Sequence, residues 1–437
     1  MTSTKYISNL NWSFLERVIH IVNVLIVGVL LARYLGPERL GVLTYVQSYI
    51  AIFGFLVGLG LDNVAIREIV KYPKKSGEIV GTSLGLMLIT FFFVILLVNI
   101  TSNEFENTEE INLLIAILSL GMISHVFAIF VCYARAKVNI KSISVAVILS
   151  EIVLLIVKII LIEVKAPLLY FVIIDTLNIL ILSICFTIFY RQSNDPYKSL
   201  SFSIPFARKI LKDSWPLMLS SGVIIFYMRV DQIMIKEMLT FSELGSYAVS
   251  VRISESWYFL PMIITITLFP MIITAKELGE DEYKLRMAQL FSVTIWIAIL
   301  MSLIILIFSE NIISILFGEE FGMASEVLKI QAFAGIFVAM GYVNGKWMVA
   351  ENYTKLSLLR HIYGLIINFV LNLILIPLYG INGAAISTLV AVLFSSNLLL
   401  LFFKSTKEIF IMQNKSIFNF GPINIFHLIN NVLKNKF

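Results

Sequence analysis

Residues Ser214–Leu260 read SWPLMLSSGVIIFYMRVDQIMIKEMLTFSELGSYAVSVRISESWYFL. An apolar segment long enough to cross a bilayer is interrupted by Arg229 and Asp231, turns, and re-enters with Arg252 and Glu255. A helix needs about 20 mostly apolar residues to cross the hydrocarbon core. An ionised side chain at the bilayer centre costs roughly 2.5–3.5 kcal/mol on insertion scales, and such residues face a bundle interior or a wet cavity. Four of them in one helical hairpin are too many for anchors. The hairpin therefore reads as half of a polar chamber set inside a membrane.

The composition of the whole chain agrees. Its 437 residues are 59% hydrophobic and 14% charged, with a mean hydropathy of +0.92. A soluble globular protein is about 45–50% apolar and 25% charged, so this is an integral membrane protein. The net charge of +5 does not signal nucleic acid, because most of the basic residues sit in short loops between apolar spans. Cys132 and Cys185 fall in or at the end of apolar spans and read as packing residues. The N-terminal apolar run carries Glu16-Arg17 and lacks a small-residue cleavage site, so it reads as the first span and not as a cleavable signal.

The hydropathy predicts an all-α membrane protein of twelve spans, six before a polar connection at 191–213 and six after it. The first six lie near 10–32, 42–61, 79–100, 111–132, 142–164 and 168–190; the others near 214–234, 247–270, 285–308, 325–348, 358–378 and 382–403. With the N-terminus placed in the cytoplasm, outward segments carry only Arg33, Arg39, Lys165 and Lys236 as bases. Inward segments carry Lys5, the Arg67–Lys75 and Arg135–Lys141 groups, the bases of the 191–213 connection, Lys276, Lys284, Arg286, Lys355, Arg360 and the C-terminal lysines, all counted as loop cations. This meets the positive-inside rule with both termini cytoplasmic. An internal repeat supports the count. At an offset of 204, ARYLGPERLGVLTYV lies over KEMLTFSELGSYAVS, matching Leu35 to Leu239 and Leu40-Gly41 to Leu244-Gly245. Two like-oriented six-helix lobes, 1–190 and 214–403, would be related by a pseudo-twofold along the membrane normal. The tail, 404–437, spaces Ile423, Phe426, Ile429 and Val432 at helical intervals, which suits either an interfacial amphipathic helix or a partly ordered tail.

No enzymatic constellation is present: no catalytic residues, no phosphate-binding loop, no HExxH and no Cys/His metal spacing. What remains is the set of intramembrane charges. Arg229 and Asp231 are two apart and do not share a helix face. Arg252 and Glu255 are i,i+3. Span one adds Glu16, Arg17 and His20 within one turn, with Asn23 above; Glu16 and His20 are i,i+4 neighbours, which leaves Arg17 the freer group. Lys346, near the inner end of span ten, either snorkels to the interface or faces the cavity. Lys158 and Asp175 fall at similar depths on spans five and six and read as a structural pair. Gly54/Gly58, Gly81/Gly85 and Gly341/Gly345 allow close helix approach.

ARYLGPERLGVLTYVQSY, GLGLDNVAIREIVKYP and IVGTSLGL, with YMRVDQIMIKEMLTFSELGSYAVSVRISESWYFLP, NGKWMVAENYTKLSLLR and NLILIPLYGINGAAISTL, resemble polysaccharide-biosynthesis flippases of the O-antigen translocase type. These belong to the multidrug/oligosaccharidyl-lipid/polysaccharide exporter superfamily. The resemblance implies two six-helix lobes forming a V in a bacterial inner membrane. It also implies export of an undecaprenyl-pyrophosphate-linked oligosaccharide, with a glycan polymerase and other assembly proteins as partners. No cofactor is implied beyond a proton or sodium gradient. On this reading Arg17, Arg229 and Arg252 bind the anionic head, while Glu16, Asp231 and Glu255 offset repulsion in the empty state or respond to a proton or sodium gradient; His20 and Lys346 line the same cavity. Arg33, Gly36, Arg67 and Glu68 would support a gate or hinge. A lipid II flippase, a multidrug cation antiporter and a membrane-embedded glycan ligase or polymerase are the competing functions.

Overall fold

The computed structural model describes residues 3–105, 107–193 and 195–419. Among them there is no strand; the apolar spans are helices. Backbone groups have no water to bond to in lipid, and a helix satisfies them within itself. The helices are α1 (Ser3–Gly58), α2 (Leu61–Lys71), α3 (Ser76–Glu104), α4 (Glu109–Leu120), α5 (Ile123–Ala136), α6 (Lys141–Glu163), α7 (Leu168–Gln192), α8 (Ile204–Met238), α9 (Phe241–Ser256), α10 (Phe259–Leu278), α11 (Glu280–Leu316), α12 (Ala324–Ala350), α13 (Thr354–Tyr379), α14 (Ile381–Ser396) and α15 (Lys407–Asn419). Among the described residues eleven helical stretches are long and apolar enough to cross a membrane. The first, Phe14–Lys71, has 58 residues. At about 1.5 Å per residue it far exceeds a core of about 30 Å. It breaks at Gly36, whose φ of 68° and ψ of 176° are non-helical. The two arms on either side correspond to the first two predicted spans. Lipid-facing surface is equally plain: Ile89, Phe92, Phe93 and Leu96 of α3 are all more than half exposed, an apolar stripe that only lipid would cover.

The chain divides into two compact units, Met1–Ile233 and Met234–Phe437. In the first, α1 packs on α3, α4 and α6, and α5 packs on α2, α3 and α7. Its most specific feature is the connection after α7. Gly77 donates its N–H to the Tyr197 carbonyl at 2.8 Å, and Ser203 donates its N–H to Thr82 Oγ1 at 3.0 Å. This straps the extended residues 197–203 along α3. The glycine pair of α3 thus admits an extended segment and not a second helix: a Cβ at Gly81 would lie 2.6 Å from the Ser201 carbonyl oxygen. α8 begins at Ile204, so the second half of the polar connection is already helix.

In the second unit α10, α11, α12 and α15 pack around Met287, Phe291, Ile295, Met340, Val343 and Met348, while α14 packs on α12 and α13. α9 opens with a capping box in which Thr240 and Glu243 satisfy each other's backbone N–H groups. A turn at Trp257 separates it from α10. Trp257 packs where α12 has Gly335; a Cβ there would stand 2.2 Å from the indole. The start of the tail is docked. α15 lies on α11 with Ile409 and Gln413 buried, Asn344 Nδ2 donates to Gln413 Oε1 at 3.0 Å, and Asn397 Nδ2 donates to Asn414 Oδ1 at 3.1 Å. The pattern at Ile423, Phe426, Ile429 and Val432 lies outside the described residues.

Candidate functional site

The first arm of α1 carries the lower group of charges. His20 Nδ1 lies 2.8 Å from Glu151 Oε1 on α6, and the Asn23 amide donates to the other carboxylate oxygen. The partner of His20 is therefore Glu151 and not Glu16, its i,i+4 neighbour. The reason is desolvation: Glu151 sits in an apolar helix, and a buried carboxylate must find donors. His20 and Asn23, three apart, share the α1 face that meets it. The His20 side chain remains 45% exposed while Glu151 is 17% exposed, so the pair is open to one side. Arg17, one turn before His20, is exposed and makes no ion pair among the described residues. Glu16 is half-buried. Further along α6, Lys158 Nζ lies 2.6 Å from Asp175 Oδ1 on α7, the structural pair that the matching depths predict.

Arg229 is half-buried on α8 and has no ion-pair partner among the described residues of this apolar helix. Asp231 is buried, and the Gln232 N–H donates to its Oδ1 at 2.8 Å. Gln232 in turn accepts from the Ser48 hydroxyl on the second arm of α1. The two-residue spacing thus puts Asp231 in packing and leaves Arg229 on a more open face. Of the turn residues, Gly36 supplies the positive φ that breaks α1, and Arg33 is exposed just before it. Arg67 and Glu68 are brought together with two residues of α8: Lys209 Nζ is 2.7 Å from Glu68 Oε2, and Arg67 Nη2 is 2.6 Å from Asp213 Oδ2 and 3.1 Å from Glu68 Oε1. The Glu68 side chain is only 4% exposed, whereas both cations are about half exposed. Arg67 is accordingly part of a clamp that closes α2 on α8, more than the interfacial cation its position in the sequence suggests.

In the second unit Arg252 and Glu255 are half-buried on α9, and Lys346 is exposed on α12. Arg360, which counts among loop cations in the sequence, is buried on α13 and donates to the Gly341 carbonyl at 3.0 Å. Glu151 was missed by sequence reasoning. The signal was there, a lone carboxylate ten residues into α6. The Lys209 and Asp213 contacts, more than 140 residues from their partners, left no signal.

Guanidinium groups open to one side in an apolar wall hold phosphate or carboxylate oxygens in bidentate fashion. A model described as polysaccharide biosynthesis protein matches residues 9–276, well over half of the chain. This chain belongs to the polysaccharide biosynthesis protein family. A second model, MatE, matches residues 216–374. The probable low-salt glycan biosynthesis flippase Agl15 of Haloferax volcanii is 30% identical over 167 residues, 37% of this chain and 35% of that protein. The lipid III flippase of Escherichia coli is 29% identical over 121 residues, 25% of this chain and 29% of that protein. The chain thus matches about a third of the length of these curated relatives. Likeness of fold extends further. A structure of the lipid II flippase MurJ in an inward closed conformation superposes with a TM-score of 0.72 at 16% identity, covering 97% of this chain and 93% of that one. An inward-facing multidrug resistance MATE family transporter gives 0.68 at 14% identity, covering 92% and 96%. The family member is therefore an all-α, multi-pass membrane protein with the fold of that superfamily.

Proposed function

We propose that this family member is a flippase, not an enzyme. Its cargo is an undecaprenyl-pyrophosphate-linked oligosaccharide, the repeat unit of an O-antigen or similar surface polysaccharide. It moves that cargo from the inner to the outer leaflet of a bacterial cell membrane by alternating access, with both termini cytoplasmic. The observation that carries this reading is Arg229: a cation in an apolar, membrane-length helix, half-exposed and without an ion-pair partner among the described residues. A permanent charge is maintained there at a cost of a few kcal/mol, which a ligand of opposite charge offsets. A pyrophosphate is such a ligand, and its polyprenyl chain stays in lipid. Arg17 in the first unit and Arg252 in the second are the further cations to which the reading gives a role in handling the anionic head. The flippase names of the partial relatives support the same cargo class. The excess of basic over acidic groups on open faces argues against a cation antiporter.

The test is complementation of a deletion strain with R229Q and R252Q. Each variant should accumulate to the wild-type level and fail to restore surface glycan. Normal surface glycan in both refutes the reading. Raised drug resistance on overexpression of the wild type would favour the antiporter instead.

A further inference from the structure

We propose that the His20–Glu151 pair of α1 and α6 is a proton-binding site linked to loading of the anionic head on the neighbouring Arg17. This inference rests on the flippase reading and adds to it a second, ionic ligand.

The geometry is specific. Imidazole is the one side chain whose ordinary titration falls between pH 5 and 8, and chains of His and carboxylate side chains inside membrane spans serve as proton sites. His20 Nδ1 is 2.8 Å from Glu151 Oε1, and Asn23 holds the other oxygen. This fixes the proton on Nδ1 toward the carboxylate and leaves Nε2 as the exchanging atom. The loaded pair is imidazolium with carboxylate and carries no net charge. When Nε2 gives up its proton, the Nδ1–H···Oε1 bond survives and the pair carries one negative charge. The ring is almost half exposed and the carboxylate is nearly buried, so the proton has a path out while the anion stays shielded.

The charges that act on His20 are Glu151, Arg17 and Glu16; Lys158, seven residues along α6, acts on Glu151 and is itself tied to Asp175 of α7. Among these Arg17 is the cation without an ion-pair partner among the described residues. It lies three residues from His20, about 4.5 Å along the helix. In the deprotonated state the uncompensated Glu151 carboxylate competes for Arg17. In the protonated state Arg17 is left to the diphosphate. Binding of the anion therefore draws a proton onto His20, and by reciprocity the proton raises anion affinity.

The experiment is titration calorimetry of the full chain in nanodiscs with geranylgeranyl diphosphate as probe. It is run at pH 7 in buffers of differing ionisation enthalpy, which reports protons taken up per probe bound, whatever the affinity. The probe's own titration is common to every protein compared. The wild type should take up a sizeable fraction of a proton more than H20N. E151Q, which keeps a hydrogen-bond acceptor but removes the negative charge, should shift that uptake to lower pH. Between pH 8 and pH 6 the wild-type affinity should rise about fivefold or more beyond the rise seen in H20N. Equal proton uptake in wild type and H20N, or an E151Q profile that matches the wild type, overturns the proton site and leaves the flippase reading intact. Failure of the wild type to bind the diphosphate at all overturns the flippase reading itself, and this inference with it.

Discussion

Lys158 and Asp175 meet across α6 and α7 with 2.6 Å between Nζ and Oδ1, and their side chains are only 10% and 20% exposed. Breaking such a pair by removing one partner leaves a charge stranded in an apolar wall and costs roughly 3–5 kcal/mol, whereas replacing both with apolar groups is often neutral or stabilising. K158M should therefore lower the melting temperature of the detergent-solubilised protein severely, or prevent its accumulation. The double variant K158M/D175L should recover to near the wild type. A double variant no better than K158M would show that the pair is needed for more than mutual neutralisation.

The Glu68 clamp carries an asymmetry of its own. Its carboxylate is buried, while the Lys209 and Arg67 side chains that hold it are about half exposed. Removing the carboxylate lets both cations return to water. Removing Lys209 leaves a buried anion with one partner fewer. K209M should then destabilise more than E68Q, by about 1–2 kcal/mol, since the loss of a partner from a buried charged group exceeds the net worth of the bond itself. Thermal unfolding of the two variants side by side measures the difference.

The spans and the membrane setting were legible in the sequence because they rest on composition over about 20 residues at a time, where single errors average out. Lys158 and Asp175 were legible as a pair because two charges at one depth of an apolar bundle have few other partners. His20 was misdirected for a physical reason: an i,i+4 rule sees only one helix, while the buried Glu151 sets the demand for donors from another. Arg360 and Lys209 count as loop cations in the sequence because position along the chain cannot tell an exposed base from one folded into a helix interface. The strap at 197–203 left only a glycine pattern, and that pattern is shared with helix–helix contacts.

That strap gives a sharp contrast between glycines. A Cβ at Gly77 would stand 2.0 Å from the Ser199 carbonyl oxygen and 2.6 Å from that of Tyr197, both backbone atoms. At Gly345 the nearest such atom is 3.6 Å away, at the tip of Arg360. G77A must displace the strap and should cost about 1–3 kcal/mol, as overpacking does. G345A meets ordinary contact inside α12 and should be neutral or stabilising by up to about 1 kcal/mol, because alanine is the better helix residue. Melting temperatures of the two single variants decide it; equal losses in both would mean that the segment does not lie on α3.

The end of the same connection is fixed by Asp195, and its strength depends on pH. Lys137 Nζ lies 2.7 Å from Oδ2, the Tyr133 and Ser76 hydroxyls donate to that oxygen at 2.9 and 3.1 Å, and the Tyr197 N–H donates to Oδ1 at 3.0 Å. Burial alone would raise this carboxyl, but the Lys137 ammonium, the Tyr197 amide and the two hydroxyls outweigh it and hold the group at about 2. A carboxyl depressed in the folded state contributes stability that is fully present above its unfolded value of about 3.9 and is lost as pH falls toward the folded value. At about 1.4 kcal/mol per unit the contribution is on the order of 2 kcal/mol. D195N should accordingly melt well below the wild type at pH 7. The gap should stay constant down to about pH 5 and close between about pH 4 and pH 2. A gap that does not narrow over that interval would show that the carboxylate's charge is not what holds the connection to α3 and α5.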